Sequence, residues 1–509
     1  MPSATALAAP LAAAIVAAAP GPALPKCEKF GDSWREYRTS HFVLDTDAGK
    51  TKALALVTEL ERMRALIIQA VLGGPAEVPG TLRVLAPNDP ALFTQLSGRR
   101  DQVVGYFLLS YLQEPTVVVQ TVGLEVDPEL IAHELVHHLS WHMFPRQPRW
   151  FTEGLAMFMQ SVGRERSDVE SSTGSHLSHS GATGGHWAGV QPRYALDVLK
   201  VAGKVDVKAL LSWKGVTDDD IPERYHLWSW LLFHYLWNQE SKRFTALQER
   251  LSRAEDPAQA WLAVFPEYNP NDAAAAARLS EALEQHRLHS KGLTYKVEAK
   301  VEPQVTEAPL PAADVHVLTL AVRRVRPLSV AVAELEESLR EDPLQPQAIG
   351  WLSTLTDTSP LEALRNAVAA RPTDARAWLE LASHTTEPIE KEKAVRQALA
   401  LEPANPTCLN NLAWLLVTTG RAREALKHAN RAVGLEPWSA ATIDTLAVVA
   451  RELGKCPEAL VLQRRAVALS LSDGGETIRK HLEELEARSK TAPNSSAPLP
   501  SAAPAGKAP

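Results

Sequence analysis

Leu412-Ala413-Trp414 recurs as Leu446-Ala447-Val448, Gly420 as Gly454, Glu424-Ala425-Leu426 as Glu458-Ala459-Leu460 and Ala432 as Ala466, each pair 34 residues apart. Few features constrain a fold more. A unit of about that length is a helix–turn–helix that cannot bury its apolar face alone, so its copies must stack into an elongated array. Leu-Glu-Pro closes units at Leu401–Pro403 and Leu435–Pro437, and looser units end at Pro343 and Pro372. Proline stops the second helix of each pair, and small residues such as Ala432 and Ala466 let paired helices approach. Residues 316–485 therefore read as an all-α solenoid of about four units.

The repeat leaves room for more. With 509 residues the chain is long enough for two to four domains. Its net charge of -7, without a block of like charge, excludes nucleic acid as the main partner, because phosphate binding needs clustered basic residues. Cys27, Cys408 and Cys456 are too few and too scattered for a disulfide framework or a thiolate metal site. Cys408 and Cys456 fall in helical patterns and read as small buried residues. Residues 1–25 are mostly Ala, Pro, Leu and Val. Their apolar run, Leu11–Ala19, is too short to span a bilayer, and no transmembrane segment is expected elsewhere. The run suits the core of a secretory signal, yet no Lys or Arg precedes Lys26, and Lys26 itself spoils a lipoprotein reading of Cys27. Signal and disordered leader both stay open, with a lean to export.

From about Ser33 to Val122 strand and helix patterns alternate: strands at His41–Asp45, Thr81–Leu85, Val103–Leu109 and Thr116–Val122, a long amphipathic helix over Lys50–Leu72 and a short one over Pro90–Leu96. After Asp127 the pattern turns helical as far as about His289. It is interrupted by Ser167–Pro192, a Ser/Gly/His-rich stretch in which His176, His179 and His186 read as solvated loop residues or as a lid. Residues 26–295 form one domain on this reading, residues 296–315 a Pro-rich linker and residues 486–509 a disordered tail.

The chemistry-bearing motif is His133-Glu134-Leu135-Val136-His137. On a helix, residues four apart stand one above the other, so both imidazoles reach one point. Glu134 is turned by about 100° and sits beside that point, where a carboxylate can move a proton. Asp127-Pro128 is a good helix start, and Phe144-Pro145-Arg146-Gln147-Pro148 breaks the helix before a second one over Arg149–Ser161. His137 lies roughly 9 Å before the break and Glu153 roughly 7–8 Å after it, at 1.5 Å per residue, so Glu153 can face both histidines across the helix pair. Two imidazoles, one carboxylate and an open position are what a catalytic zinc needs. His138 and His142 are also four apart, but no glutamate follows His138, and both read as flanking or surface histidines.

His133–His137 followed after 15 residues by Glu153, within Trp150-Phe151-Thr152-Glu153-Gly154-Leu155-Ala156, resembles the gluzincin metallopeptidases. With the preceding Ser40–Asp47 segment and the later Tyr225–Trp230 segment, it looks most like the peptidase MA-like proteins, over roughly residues 33–290. The resemblance implies an α+β zincin-like catalytic domain with a small N-terminal sheet, an active-site helix and a helical C-terminal lobe. It implies Zn2+ held by His133, His137 and Glu153, with Glu134 as general base and acid for water attack on a peptide bond. Tyr225, or His226 in its place, would stabilise the oxyanion. The 34-residue units likewise resemble the tetratricopeptide repeat family, whose concave face implies a protein or peptide partner. Two departures stand out. Met157 occupies the position where thermolysin-like enzymes carry an Asp that orients a zinc-binding histidine. The Gly-x-Met-Glu-Asn segment of aminopeptidases is absent, which favours an endopeptidase. The competing expectation is a non-catalytic zincin-fold scaffold acting through its repeats.

Overall fold

The computed structural model describes residues 30, 33–72, 78–98, 105–109, 114–120, 127–163, 165–166, 185–190, 203–214, 223–289, 295–323, 327–470 and 475–491. The leader over residues 1–25, Cys27, His176 and His179 lie outside them, as does the tail beyond Thr491.

Near the N-terminus stands a six-stranded sheet made of β1 (Arg35–Arg38), β2 (Phe42–Thr46), β3 (Leu82–Leu85), β4 (Gly105–Leu109), β5 (Pro115–Val119) and, much later in the chain, a strand over Thr306–Pro309. Its order is β4-β5-β3-β2-β1 and then the late strand. The three central strands β2, β3 and β5 run parallel, with antiparallel edges. Alternation along each strand divides the faces. Tyr37, Phe42, Leu44, Leu82, Val84, Val117 and Val119 point to one side, where the helices Lys50–Leu72 and Pro128–Met143 cover them. Part of the opposite face is apolar, with Leu85 and Val118 packed under the helices Pro90–Ser97 and Ala312–Val322. The rest is ionic: Arg83 bridges Asp45 and, at 2.8 Å, Glu114. Burial pushes the Asp45 carboxyl up to about 6 even beside Arg83.

The helical part of this unit is built on aromatic packing. Phe151, Phe158, Phe233 and Phe244 are fully buried where the helices Arg149–Met159, Glu223–Gln239 and Ser241–Ser252 meet. A second sheet holds β6 (Glu165–Arg166), β7 (Gly185–Ala188) and β8 (Tyr295–Val297). The strand over Thr306–Pro309 is accordingly β9.

Residues 296–315 are thus more than a linker. They carry the end of β8, all of β9 on the sheet edge beside β1, and the start of a buried helix. The strand hides in the sequence because Thr306-Glu307-Ala308-Pro309 is exposed along its whole length and shows no apolar alternation. β1 escapes the same reading: Arg35-Glu36-Tyr37-Arg38 offers one buried apolar residue among charges.

The C-terminal part is a helical solenoid. Its pairs are Ala312–Val322 with Leu328–Glu341, Pro346–Thr356 with Leu361–Ala370, Ala375–His384 with Pro388–Leu401, Pro406–Thr418 with Ala422–Leu435, and Ala440–Glu452 with Cys456–Leu469, closed by Gly475–Thr491. Five pairs stand where the prolines marked four unit ends, because the last pair ends at Leu469-Ser470 with no proline stop. Ala425, Ala432, Ala459 and Ala466 are fully buried at the helix contacts. Gly420 and Gly454 turn each of the last two pairs with φ of 79° and 77°, a left-handed conformation that glycine adopts without strain. Cys408 is buried, which raises its thiol to about 12, whereas Cys456 sits exposed at a helix start and departs from the buried reading.

The two parts touch at further points beyond the packing of Ala312–Val322 on the sheet. Tyr106 of β4 donates a hydrogen bond to the Val322 carbonyl, 3.2 Å away. Trp438, in the turn before the last pair, lies edge-on to His142 with ring centres 4.4 Å apart. His138 is buried and His142 is half-buried against Trp438, so the pair flanks the cluster and neither ring stands free on the surface. No helix among the described residues is long and apolar enough to cross a membrane.

Candidate metal centre

Asp127 caps the helix Pro128–Met143 by accepting from the Glu129 amide. The break at Phe144–Pro148 then returns the chain as Arg149–Met159. This turn brings the predicted residues together: one ligand atom each from His133, His137 and Glu153 lies within 4.8 Å of the others. Nε2 of His133 is 3.3 Å from Glu153 Oε2, and Nε2 of His137 is 3.7 Å from Glu153 Oε1. No other group of three His, Cys, Asp or Glu side chains is so placed among the described residues.

The electrostatics suit a cation. Burial opposes ionisation of Glu153, yet His137, His133, Arg149 and His226 around it hold its carboxyl well below the usual range. Burial drives the His137 imidazole down to about 3, while the Glu153 carboxylate holds the His133 imidazole above its ordinary value against the same burial. Both Glu153 oxygens are buried and receive no hydrogen bond of good geometry, although Arg149 Nη2 stands 2.7 Å from Oε1. Converging imidazoles and an incompletely satisfied buried carboxylate form the donor set that zinc takes. Glu134 is also buried. Desolvation pushes its carboxyl up to about 7, against the pull of His133, Arg149 and the main-chain amide of Phe107 on β4.

Tyr225 stacks on Trp213, with ring centres 5.2 Å apart. Its neighbour His226 approaches the cluster, with Nε2 3.7 Å from Glu153 Oε2. Met157 is buried in the apolar core. The side chain that meets Nδ1 of His133 is Gln160, whose Oε1 lies 3.2 Å away. Gln160 and Arg149 were not singled out from the sequence, though both share the face of Glu153, seven residues after it and four before it. His186 is no lid: it lies on β7, its Nδ1–H donates to the Val162 carbonyl at 2.8 Å, and Arg62 donates to its Nε2 at 2.6 Å.

A separate cavity of about 1050 Å³ lies between the ionic face of the sheet and the solenoid. Arg38, Arg83 and Glu114 line it on one side, Arg376, Glu380 and Trp438 on the other. None of His133, Glu134, His137 and Glu153 lines it; the ligand helix contributes His138.

The tetratricopeptide repeat model matches residues 439–471, the last helix pair. That pair is a tetratricopeptide repeat, and the surrounding solenoid is of the same helical kind. No curated protein matches the chain. Similar solved structures include the thermophilic TPR protein TTC0263 of Thermus thermophilus, with 18% identity, 34% of this chain and 96% of that chain covered, and a TM-score of 0.28. They include MamA, with 17% identity, 34% and 89% covered and a TM-score of 0.24. Yeast Tom70 is also among them, with 13% identity, 58% and 72% covered and a TM-score of 0.28.

Proposed function

We propose that this protein is a zinc-dependent metallopeptidase of the endopeptidase type, whose repeats hold a protein partner or substrate. The observation that carries the reading is the convergence of His133, His137 and Glu153 beside the buried Glu134. Zinc held by those three side chains would polarise a substrate carbonyl and acidify a water molecule. The chain's own residues would do the rest. Glu134 would take a proton from the attacking water on its carboxylate and deliver it to the departing amine. His226, its side chain 38% exposed at the rim, would offer an N–H to the developing oxyanion. Arg149 would hold the Glu153 carboxylate ionised.

A second reading has an observation of its own. The matched repeat supports a protein-interaction role and bears on no catalytic residue, so a non-catalytic scaffold acting through its repeats is the alternative. One experiment separates the two. The full chain, zinc-loaded or stripped with a chelator, is incubated with a proteome-derived peptide library, and new termini are read by mass spectrometry. Internal cleavages in the zinc-loaded sample alone are the expected result; identical libraries would leave the scaffold.

A further inference from the structure

Of the two histidines in the cluster, one ring is tethered and the other is not. Nδ1 of His137 is buried without a hydrogen-bond partner among the described residues, whereas Nδ1 of His133 faces Gln160 Oε1. We propose that Gln160 is the positioning residue of this centre: its amide carbonyl accepts from Nδ1–H of His133 and fixes the ring with Nε2 turned to Glu153. The inference rests on the metal reading above and adds the group that supports it.

The local structure is built to hold Gln160 still. It begins the tightened turn Gln160–Gly163 that ends the helix Arg149–Met159. Gly163 seats that turn directly on the Pro128 carbonyl at the start of the ligand helix, where a Cβ has no room. Ser161 Oγ donates to the Trp187 carbonyl of β7 at 2.8 Å, pinning the turn on its other side. Gln160 itself is 8% exposed, so its amide does not exchange freely with water. With Nδ1 carrying the proton, the lone pair of His133 belongs to Nε2, the atom 3.3 Å from Glu153 Oε2.

The choice of an amide has a consequence. A carboxylate on Nδ1 makes the imidazole more basic and the metal more tightly held, whereas a neutral carbonyl fixes the same tautomer with less electron donation. This centre should therefore be oriented like a carboxylate-supported one but bind its metal less tightly.

Dissociation constants for Zn2+, by chelator competition, and the absorption spectrum of the Co2+ form are measured on the full chain and on Gln160→Met and Gln160→Glu. Gln160→Met keeps the bulk and removes the acceptor; it should weaken Zn2+ binding about 10- to 100-fold and alter the Co2+ bands. Gln160→Glu should bind at least as tightly as the wild type. A merely structural role would not yield tighter binding in the Glu variant. If Gln160→Met fails to fold, Gln160→Glu decides alone: weaker binding than the wild type overturns the inference. Equal affinity of wild type and Gln160→Met overturns it while leaving the metal reading in place. A wild-type chain that binds no Zn2+ overturns both.

Discussion

Glu134→Gln should cut peptide hydrolysis by at least a hundredfold and leave metal binding intact, because a positioned general base contributes about 10²–10⁴ in rate. The substitution keeps the shape of the side chain and removes only its capacity to carry a proton. It should not unfold the protein. Burial already disfavours the charged form of Glu134, so a neutral amide relieves a desolvation penalty rather than creating one. The prediction therefore has two parts: lost turnover on any peptide that the wild type cleaves, and a denaturation midpoint equal to or above the wild type's. Full activity in the variant would remove Glu134 from the mechanism. A lower midpoint would show that the carboxylate is held by contacts stronger than its burial.

The second large effect is at Gly154, which follows Glu153. A Cβ there would lie 2.6 Å from the Ser229 carbonyl oxygen and 2.8 Å from Phe233 Cβ. Gly154 thus sets how closely Arg149–Met159 approaches Glu223–Gln239, the helix bearing His226. Two effects of opposite sign compete in Gly154→Ala. Helix propensity favours alanine by about 1 kcal/mol. Overpacking against a neighbouring helix backbone, which cannot rotate away as a side chain can, costs typically 1–3 kcal/mol and occasionally more. Overpacking should win, lowering stability by up to about 2 kcal/mol in chemical denaturation. Separating the helices also moves Glu153 against the two histidines, so Zn2+ affinity should fall with stability. Unchanged or higher stability would mean that the helix spacing is set elsewhere.

The part of the centre that follows helical geometry was legible in the sequence. The four-residue spacing of His133 and His137, the proline break and the depth of Glu153 are local facts that one helix pair carries into three dimensions. What was not legible depends on contacts between distant segments. β9 pairs with β1 across some 270 residues of chain, and neither strand shows apolar alternation, because the surrounding sheet face is ionic. The cover over His142 comes from Trp438, which the repeat period does not single out. Gln160 is intermediate: it shares the face of Glu153, but an amide two helical turns from a ligand is ordinary until the turn Gln160–Gly163 is seen to point it at His133. Tyr225 and His226 illustrate the limit of a motif. The segment was found, yet only packing shows that His226 stands within 3.7 Å of Glu153 while Tyr225 stacks on Trp213.

A metal held by His133, His137 and Glu153 is tested most directly by counting. Zinc per chain is measured by mass spectrometry in the full-length protein and in His137→Ala, purified identically and incubated with Zn2+ before desalting. About one zinc in the wild type and almost none in the variant is the expected result. No zinc in either, or equal zinc in both, would contradict the account.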